Sequence, residues 1–486
     1  MTGGPPKEWI QEALARQAQG HHAAALLAFR KLLSRHPDSG EAWCNLSALL
    51  RELGRGEEAL EAARKAVGLL PAHPDALANL GNALGDLGHW GEAVSAFRKA
   101  LSQAEGHPGA QVNLPGALQR CGQLEEALAA AEEALEAWPA RPETHVNRGH
   151  ILLKLGRLEE AEAGFLRALA LQEDNPFARW NLSFVRLLQG RWTEAWPDFD
   201  ARLRLPEARA HDPGLREPTW KGEPFPGRTL LVWAEQGQGD TLQFVRFLPR
   251  VRHLGGRVLL RAQTPLLGVL ATCQGVDQVL GEHEALPPFD LQIPLLSLAA
   301  VLGPRPEELS WEGPYLSAPS APGVQVPPGL AASLQEAPGR KVGLAWAGNP
   351  RQRDDASRSL DPAILAPLAA LRGVSWFSLQ KPMPGMTPGG LPPGFGAVDL
   401  APFLTTFSET AWVMERLDFL ITVDSAPAHL AGALGLPTAC LLSYSPDWRW
   451  LWGREDCPWY PSLRLVRQSR PGDWQGVVAR LASELA

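Results

Sequence analysis

Two stretches carry residues whose types and spacing could do chemistry. The first is VDSAPAHLAGALGLP, residues 423–437. An apolar run, LDFLITV, ends in Asp424, Ser425 and Ala426 turn the chain, and Pro427 suits the first turn of a helix, where its missing N–H costs nothing. Gly435, Leu436 and Pro437 end that helix. Asp424, Ser425, Ala426 and His429 therefore surround a helix N-terminus at the carboxyl end of a strand. Free backbone N–H groups and the helix dipole there favour an anion, most simply a diphosphate, and Ser425 and His429 can add donors. Without such a ligand the same residues are a capped helix with a partly buried histidine.

The second stretch is AEQGQGDTLQF, 234–244, directly after RTLLVW. Gly237 and Gly239 flank Gln238, and Asp240 follows at once. A GxGxxG dinucleotide loop would need glycine where Leu242 stands. Two readings of Asp240 stay open. It is a general base that takes a proton from an acceptor group, with the glycines admitting that substrate close to the backbone. Or it caps the helix in the D-x-x-Q arrangement Asp240 to Gln243, which would hold its pKa low. Glu235 is a second, nearby acid.

The elements that must position these residues are short apolar runs alternating with helices, the pattern of parallel α/β sheets. TLLVWAEQG, RVLLRAQ and VDQVLG fall before a Pro-rich break, SAPSAPGVQVPPG (317–329), and KVGLAWAG, WFSLQK, LDFLITVD and TACLLSY after it. We read an N-terminal lobe over 228–325 and a C-terminal lobe over 326–486, with a cleft between them. Ligands of such sheets sit at the carboxyl ends of strands. The last stretch, DWQGVVARLASELA, predicts an amphipathic helix. Residues 201–227, rich in Pro, Gly and charge, read as a connector.

Residues 1–200 repeat. Asn45, Asn79, Asn113, Asn147 and Asn181 are 34 apart, as are Gly54, Gly88, Gly122, Gly156 and Gly190, and Ala59 through Ala195. A 34-residue helical period is the tetratricopeptide signature: helix pairs stacked into a solenoid with a concave face. Five repeats are clear, and a degenerate one precedes them with Gly20 and Ala25 in phase. The asparagines have two readings. They make hydrogen bonds between repeats, or they form a ladder of amides that offers donors and acceptors to an extended peptide.

Bulk properties exclude several classes. With 53 acidic against 46 basic residues the net charge is -7, which argues against a general nucleic-acid binder. The five cysteines (44, 121, 273, 440, 457) form no CxxC pair, so a disulfide framework or zinc site is not expected and a reducing, cytoplasmic setting fits. No apolar run reaches the ~18–20 residues of a membrane span, and MTGGPPKEWI has no signal-peptide pattern. No DxD motif stands at a strand end, so no metal is expected. Asp354 and Asp355, in an arginine-rich loop, read as solvated charge.

The 423–437 stretch resembles the donor-site motif of heptosyltransferase-like glycosyltransferases, D-[ST]-x-x-x-H-L-x-x-A-x-x-x-P, on Asp424, Ser425, His429, Leu430, Ala433 and Pro437. Blocks at 235–244, 342–350, 378–381, 423–437 and 446–451 occur in the order found in bacterial proteins that fuse tetratricopeptide repeats to such a transferase. The asparagine position is similar to that of the O-GlcNAc transferase repeats. The resemblance implies an all-α solenoid followed by a two-lobed α/β region of the GT-B type (two Rossmann-like lobes) that is metal-independent and uses a nucleotide-diphosphate sugar. It places the donor diphosphate at Asp424, Ser425, Ala426 and His429. Where the family has a hydroxyl residue and a cation near the phosphates, this chain has Gly348 with Asn349, and Arg358. SLQK adds Gln380 and Lys381. The family's proposed base lies in a G-D element ahead of a Leu-Pro pair, which maps to Gly239-Asp240 and Leu248-Pro249, so Gly237, Gln238 and Gly239 fall on the acceptor side. The resemblance also suggests an inverting outcome. The expected activity is sugar transfer to a protein or peptide held by the repeats. The competing expectations are transfer to a glycan or lipid, and a peptide-binding scaffold whose transferase region is inactive.

Overall fold

The structure is a computed structural model that describes residues 7–209, 212–309, 313–320, 326–350, 352, 355–382, 390–392 and 394–486. The chain divides into two compact units, 1–178 and 179–486. Among the described residues, twelve helices run from Lys7–Ala18 to Trp192–Phe199 in antiparallel pairs. The phased residues explain the pairing. Ala25, Ala59, Ala93, Ala127 and Ala161 are fully buried, each a point where helices meet with only a methyl between them. Gly20, Gly54, Gly88, Gly122 and Gly156 all have φ between 70 and 82°, the left-handed conformation that stops a helix and that residues with a side chain avoid. The phased prolines Pro74, Pro108 and Pro142 open helices at their first positions, where no N–H is missed.

The second unit holds two parallel sheets. Strands β1 (Thr229–Trp233), β2 (Arg257–Ala262), β3 (Gln278–Gly281) and β4 (Leu291–Pro294) form the order β3-β2-β1-β4. Strands β5 (Arg340–Ala345), β6 (Val374–Ser378), β7 (Val398–Asp399), β8 (Phe419–Val423), β9 (Thr438–Leu442) and β10 (Leu463–Arg467) form β10-β9-β8-β5-β6-β7. Strand order reverses at β1 and β5, which opens crevices at their carboxyl ends. The 201–227 connector is packed. Trp220 and Phe225 are buried, and the Trp220 N–H donates to the Gln292 carbonyl at 2.9 Å.

One boundary differs from the sequence reading, which ended the solenoid at 200. The Trp192–Phe199 helix belongs to the second unit because its rings are core there. Trp192 stacks on Trp459 (4.7 Å, 23°) and meets Trp448 edge-on (6.4 Å, 86°). Trp196 and Phe199 also meet Trp448 edge-on, and Phe244 and Phe247 reach Trp459 from the N-terminal lobe. Such pairs contribute about 0.5–1.5 kcal/mol each beyond the area they bury.

Ala93 is 0% exposed between paired helices, so Ala93→Leu overpacks the solenoid. The expected cost is about 1–3 kcal/mol, read as a lower denaturation midpoint of the full chain. An unchanged midpoint would show that the pair tolerates separation.

Candidate functional site

The helix after β1 starts earlier than the sequence reading placed it. Gly237 is its N-cap and the helix covers Gln238–Phe244, which puts Asp240 in the third helical position. Its Oδ2 reaches back and accepts the Gly237 N–H at 2.8 Å. Its Oδ1 accepts from Arg449 Nη2. Asp240 thus caps its helix with one oxygen and forms an ion pair with the other. Burial pushes its pKa above the ordinary aspartate value, and Arg449 opposes that shift most. A capped aspartate was expected to have a low pKa, but loss of water outweighs the hydrogen bonds here.

Arg449 comes from the C-terminal lobe, in a short 3-10 turn (Trp448–Trp450). Its Nε donates to Gln243 Oε1 at 2.7 Å and its Nη1 to Asp447 Oδ1 at 2.7 Å. Burial works against its charge, yet Asp240 and Asp447 overcome this and hold its pKa above the usual value. The sequence reading missed this residue, although it lies in the 446–451 block, PDWRWL. A basic residue between two tryptophans was the available signal.

Opposite Asp240 stands the start of the Ala426–Leu434 helix, at the carboxyl end of β8. Ser425 is its N-cap, but its hydroxyl makes no capping bond. It donates to the Val423 carbonyl at 3.1 Å and lies 3.4 Å from Thr422 Oγ1. Ser425 is 7% exposed and its hydroxyl is turned into the strand end, which leaves the helix N-terminus without a side-chain cap. His429 is buried, stacks on Trp450 (5.2 Å, 22°), and places Nδ1 3.0 Å from Tyr460 Oη. The two helix starts touch. A Cβ on Gly239 would stand 2.7 Å from His429 Cδ2 and 3.6 Å from Ala426 Cα, so only glycine fits there. Gln238 is half-buried beside it.

Asp424, half-buried, is pushed up to about 6 by burial and then by Asp447, with Arg358 opposing. In the loop after β5 the Gly348 N–H donates to Ser359 Oγ at 2.9 Å. Asp355 corrects the reading of solvated charge. It is buried and accepts from Arg358 Nε (3.2 Å) and Ser359 Oγ (3.0 Å); Asp354 lies outside the described residues. Asn349 forms the turn that Gln352 closes through the 349 carbonyl. Gln380 serves the backbone, as its Oε1 accepts the Trp346 and Ala347 N–H groups at 2.9 and 2.8 Å. Lys381 is exposed and donates to the Thr405 carbonyl at 3.4 Å.

Glu235 does not share the site. It is buried with Arg202 (2.7 Å) and the Leu296 N–H (3.2 Å), an internal ion pair beneath the end of β1. In the solenoid the asparagines make bonds between repeats. Asn79 Nδ2 donates to the Cys44 carbonyl (3.1 Å), Asn147 Nδ2 to the Val112 carbonyl (2.8 Å) and Asn113 Nδ2 to Asn82 Oδ1 (2.8 Å). Asn45 makes no side-chain hydrogen bond among the described residues, and Asn181 lies half-buried in the Pro176–Leu188 helix.

Residues 10–76 and 78–142 match one tetratricopeptide-repeat family and 120–182 a second, while 390–472 match glycosyltransferase family 9 (heptosyltransferase). The chain joins tetratricopeptide repeats to a heptosyltransferase-like glycosyltransferase region. The family 9 match, over 390–472, contains Asp424, His429 and Arg449 and begins well after Asp240. The chain is 25% identical to protein FlbA of Caulobacter vibrioides over 325 residues, 60% of this chain and 52% of FlbA, so it spans about half of that relative. Among solved structures it is similar to TTC0263, a thermophilic tetratricopeptide-repeat protein of Thermus thermophilus (22% identity, 37% of this chain and 98% of that one, TM-score 0.34). It is also similar to MamA of Desulfovibrio magneticus (23%, 36% and 97%, TM-score 0.29).

The raised Asp424 pKa has a sign in stability. The folded chain takes up this proton near 6 and the unfolded chain near 3.8. The contribution is full below the unfolded value and is lost as pH rises through the folded one. Wild type should therefore gain stability over Asp424→Asn as pH falls from about 7 to about 5, measured by denaturant unfolding at each pH. A gap that moves the other way would place Asp424 in a wetter setting.

Proposed function

We propose that the second unit transfers a sugar from a nucleoside-diphosphate sugar to an acceptor hydroxyl, with inversion and without a metal. One observation carries this reading: the carboxylate of Asp240 and the uncapped helix start at Asp424–His429 meet at the carboxyl ends of β1 and β8. Displacement at a sugar carbon needs a base for the incoming hydroxyl and a place for the departing negative charge. Asp240, made more basic by burial, is the base. The dipole of the Ala426–Leu434 helix and the Ala426 N–H at its start, with the nearby charges of Arg358 and Arg449, receive the diphosphate. Glu235 is spent on Arg202 and takes no proton.

The acceptor we infer is a protein or peptide on the repeats. Tetratricopeptide arrays offer a concave surface, and Asn113 is exposed on this one. The family 9 match favours a second reading, transfer to a glycan or lipid. The setting we infer is cytoplasmic. All five cysteines are free, and among the described residues no helix is long and apolar enough to cross a membrane.

Thermal shift with UDP, ADP and GDP tests the donor site, and the wild type should be stabilised by at least one. Turnover of the matching nucleotide sugar should fall by about 10²–10⁴-fold in Asp240→Asn. An unchanged rate removes Asp240 as the base. If no diphosphate binds, the repeats alone are the working part. Sugar-modified peptides among co-expressed proteins would support the protein acceptor, and their absence would count for the glycan or lipid.

A further inference from the structure

We propose that Arg202 and Glu235 are positioning residues for the proton transfer at Asp240: their buried ion pair fixes the 234–237 loop so that the Gly237 N–H meets the Asp240 carboxylate. This rests on reading Asp240 as the base.

For stability alone the pair is a costly choice. Arg202 is 3% and Glu235 8% exposed, and charges taken out of water are tolerated only with close partners and full bonding. Here the bonding is incomplete. Glu235 Oε2 and Arg202 Nε are buried without a hydrogen-bond partner among the described residues. Burial pushes the Glu235 carboxyl above its ordinary pKa, with the Arg202 charge opposing. Apolar side chains of similar volume would fill the same space at equal or lower cost. What they could not supply is direction.

That direction comes from the anchoring of the guanidinium. Arg202 lies in the 3-10 turn Asp200–Arg204. Its Nη1 donates to the Phe199 carbonyl at 3.2 Å and to Asp200 Oδ1, and its Cζ lies 4.6 Å from the centre of the Phe199 ring. Its Nη2 donates to Ser297 Oγ at 2.9 Å, and Ser297 in turn donates to Asp200 Oδ1 at 2.8 Å. Within that frame Nη2 is aimed at one further acceptor, Glu235 Oε1 at 2.7 Å, which also takes the Leu296 N–H at 3.2 Å. Glu235 is two residues past the end of β1 and two before Gly237.

A second tie holds the same loop from the end of β2. A backbone carbonyl can only accept, so Gln263 turns its Nε2 to the Gln236 carbonyl (2.7 Å) and its Oε1 to the Thr241 hydroxyl (3.0 Å). Loop and helix are thereby joined. Gly237, between the two ties, presents its N–H 2.8 Å from Asp240 Oδ2. That N–H favours the ionised carboxylate and, with Arg449, sets its aim. Without the ion pair the loop keeps one tie of two, and the Gly237 N–H is no longer held to Asp240.

The test uses the full chain and follows diphosphate release from UDP-N-acetylglucosamine, ADP-glucose and GDP-mannose. Arg202→Met combined with Glu235→Leu removes both charges and should fold with a denaturation midpoint near that of wild type. Its affinity for UDP, ADP or GDP should be unchanged. Its kcat should fall by about 10–100-fold, the cost of a misplaced group. The acid limb of its pH–rate profile should move to higher pH, because Asp240 loses an N–H partner. Added to Asp240→Asn, the same double change should cost nothing more. An unchanged kcat, a fall with the limb unmoved, or a matching loss of diphosphate affinity overturns the proposal and leaves Asp240 as the base. A further loss in the Asp240→Asn background does the same. Where the double variant does not fold, Gln263→Leu decides. It cuts the other tie without touching a charge and should move kcat and the acid limb in the same directions; wild-type values for both overturn the proposal. An Asp240→Asn rate equal to wild type, or a wild type that turns over none of the three conjugates, removes the base reading and this proposal together.

Discussion

One buried guanidinium sets the geometry of the cleft. Arg449 sends Nε and Nη2 to Gln243 and Asp240 in the N-terminal lobe and Nη1 to Asp447 in its own. A charge taken out of water is costly unless paired and fully bonded, so the fork holds only while all three acceptors stay in place. Gln243 and Asp240 are three apart on one helix, hence on one face, which is why a single side chain can grip both. The aim of the Asp240 carboxylate is therefore determined by a residue from the opposite lobe.

The same constraint explains which local choices are free. Gly237 lets Asp240 fold back onto the N–H ahead of its helix, and Gly239 lets the second helix start come within van der Waals contact. Ser425 turns its hydroxyl into the strand end, Pro427 has no N–H, and the Ala428 N–H turns back to the Ser425 carbonyl at 2.9 Å, so the Ala426 N–H is the one left at the helix start. These features all concern backbone access, and together they bring a helix start on one side to a carboxylate on the other.

The fold was legible in the sequence where spacing encodes it. The 34-residue phase gave every solenoid helix, and apolar runs gave β1, β2, β3, β5, β6, β8 and β9. Strand β4 (LQIP), the two-residue β7 and β10 (LRLVR) escaped because short or charge-flanked runs carry little period. At the site, Asp240, Gly239 and His429 were placed together by the order of strands and helix starts. What spacing could not show was pairing over long sequence distance. Arg449 bonds a residue more than 200 positions away, and Glu235 is paired with Arg202. Composition also misjudged Asp355, because an acid among arginines looks solvated until a neighbouring serine and arginine are seen to enclose it.

The aromatic seam has a consequence of another kind. Trp192 and Trp196 lie in the last repeat helix, Phe244 and Phe247 in the N-terminal lobe, and Trp448 and Trp459 in the C-terminal lobe, yet they pack as one set of rings. A change of size at any of these positions is felt in three elements at once. In the course of descent such positions can change only in company, so homologues should vary them jointly. The repeats further upstream answer only to their nearest neighbours and are free to be lost, gained or exchanged one at a time.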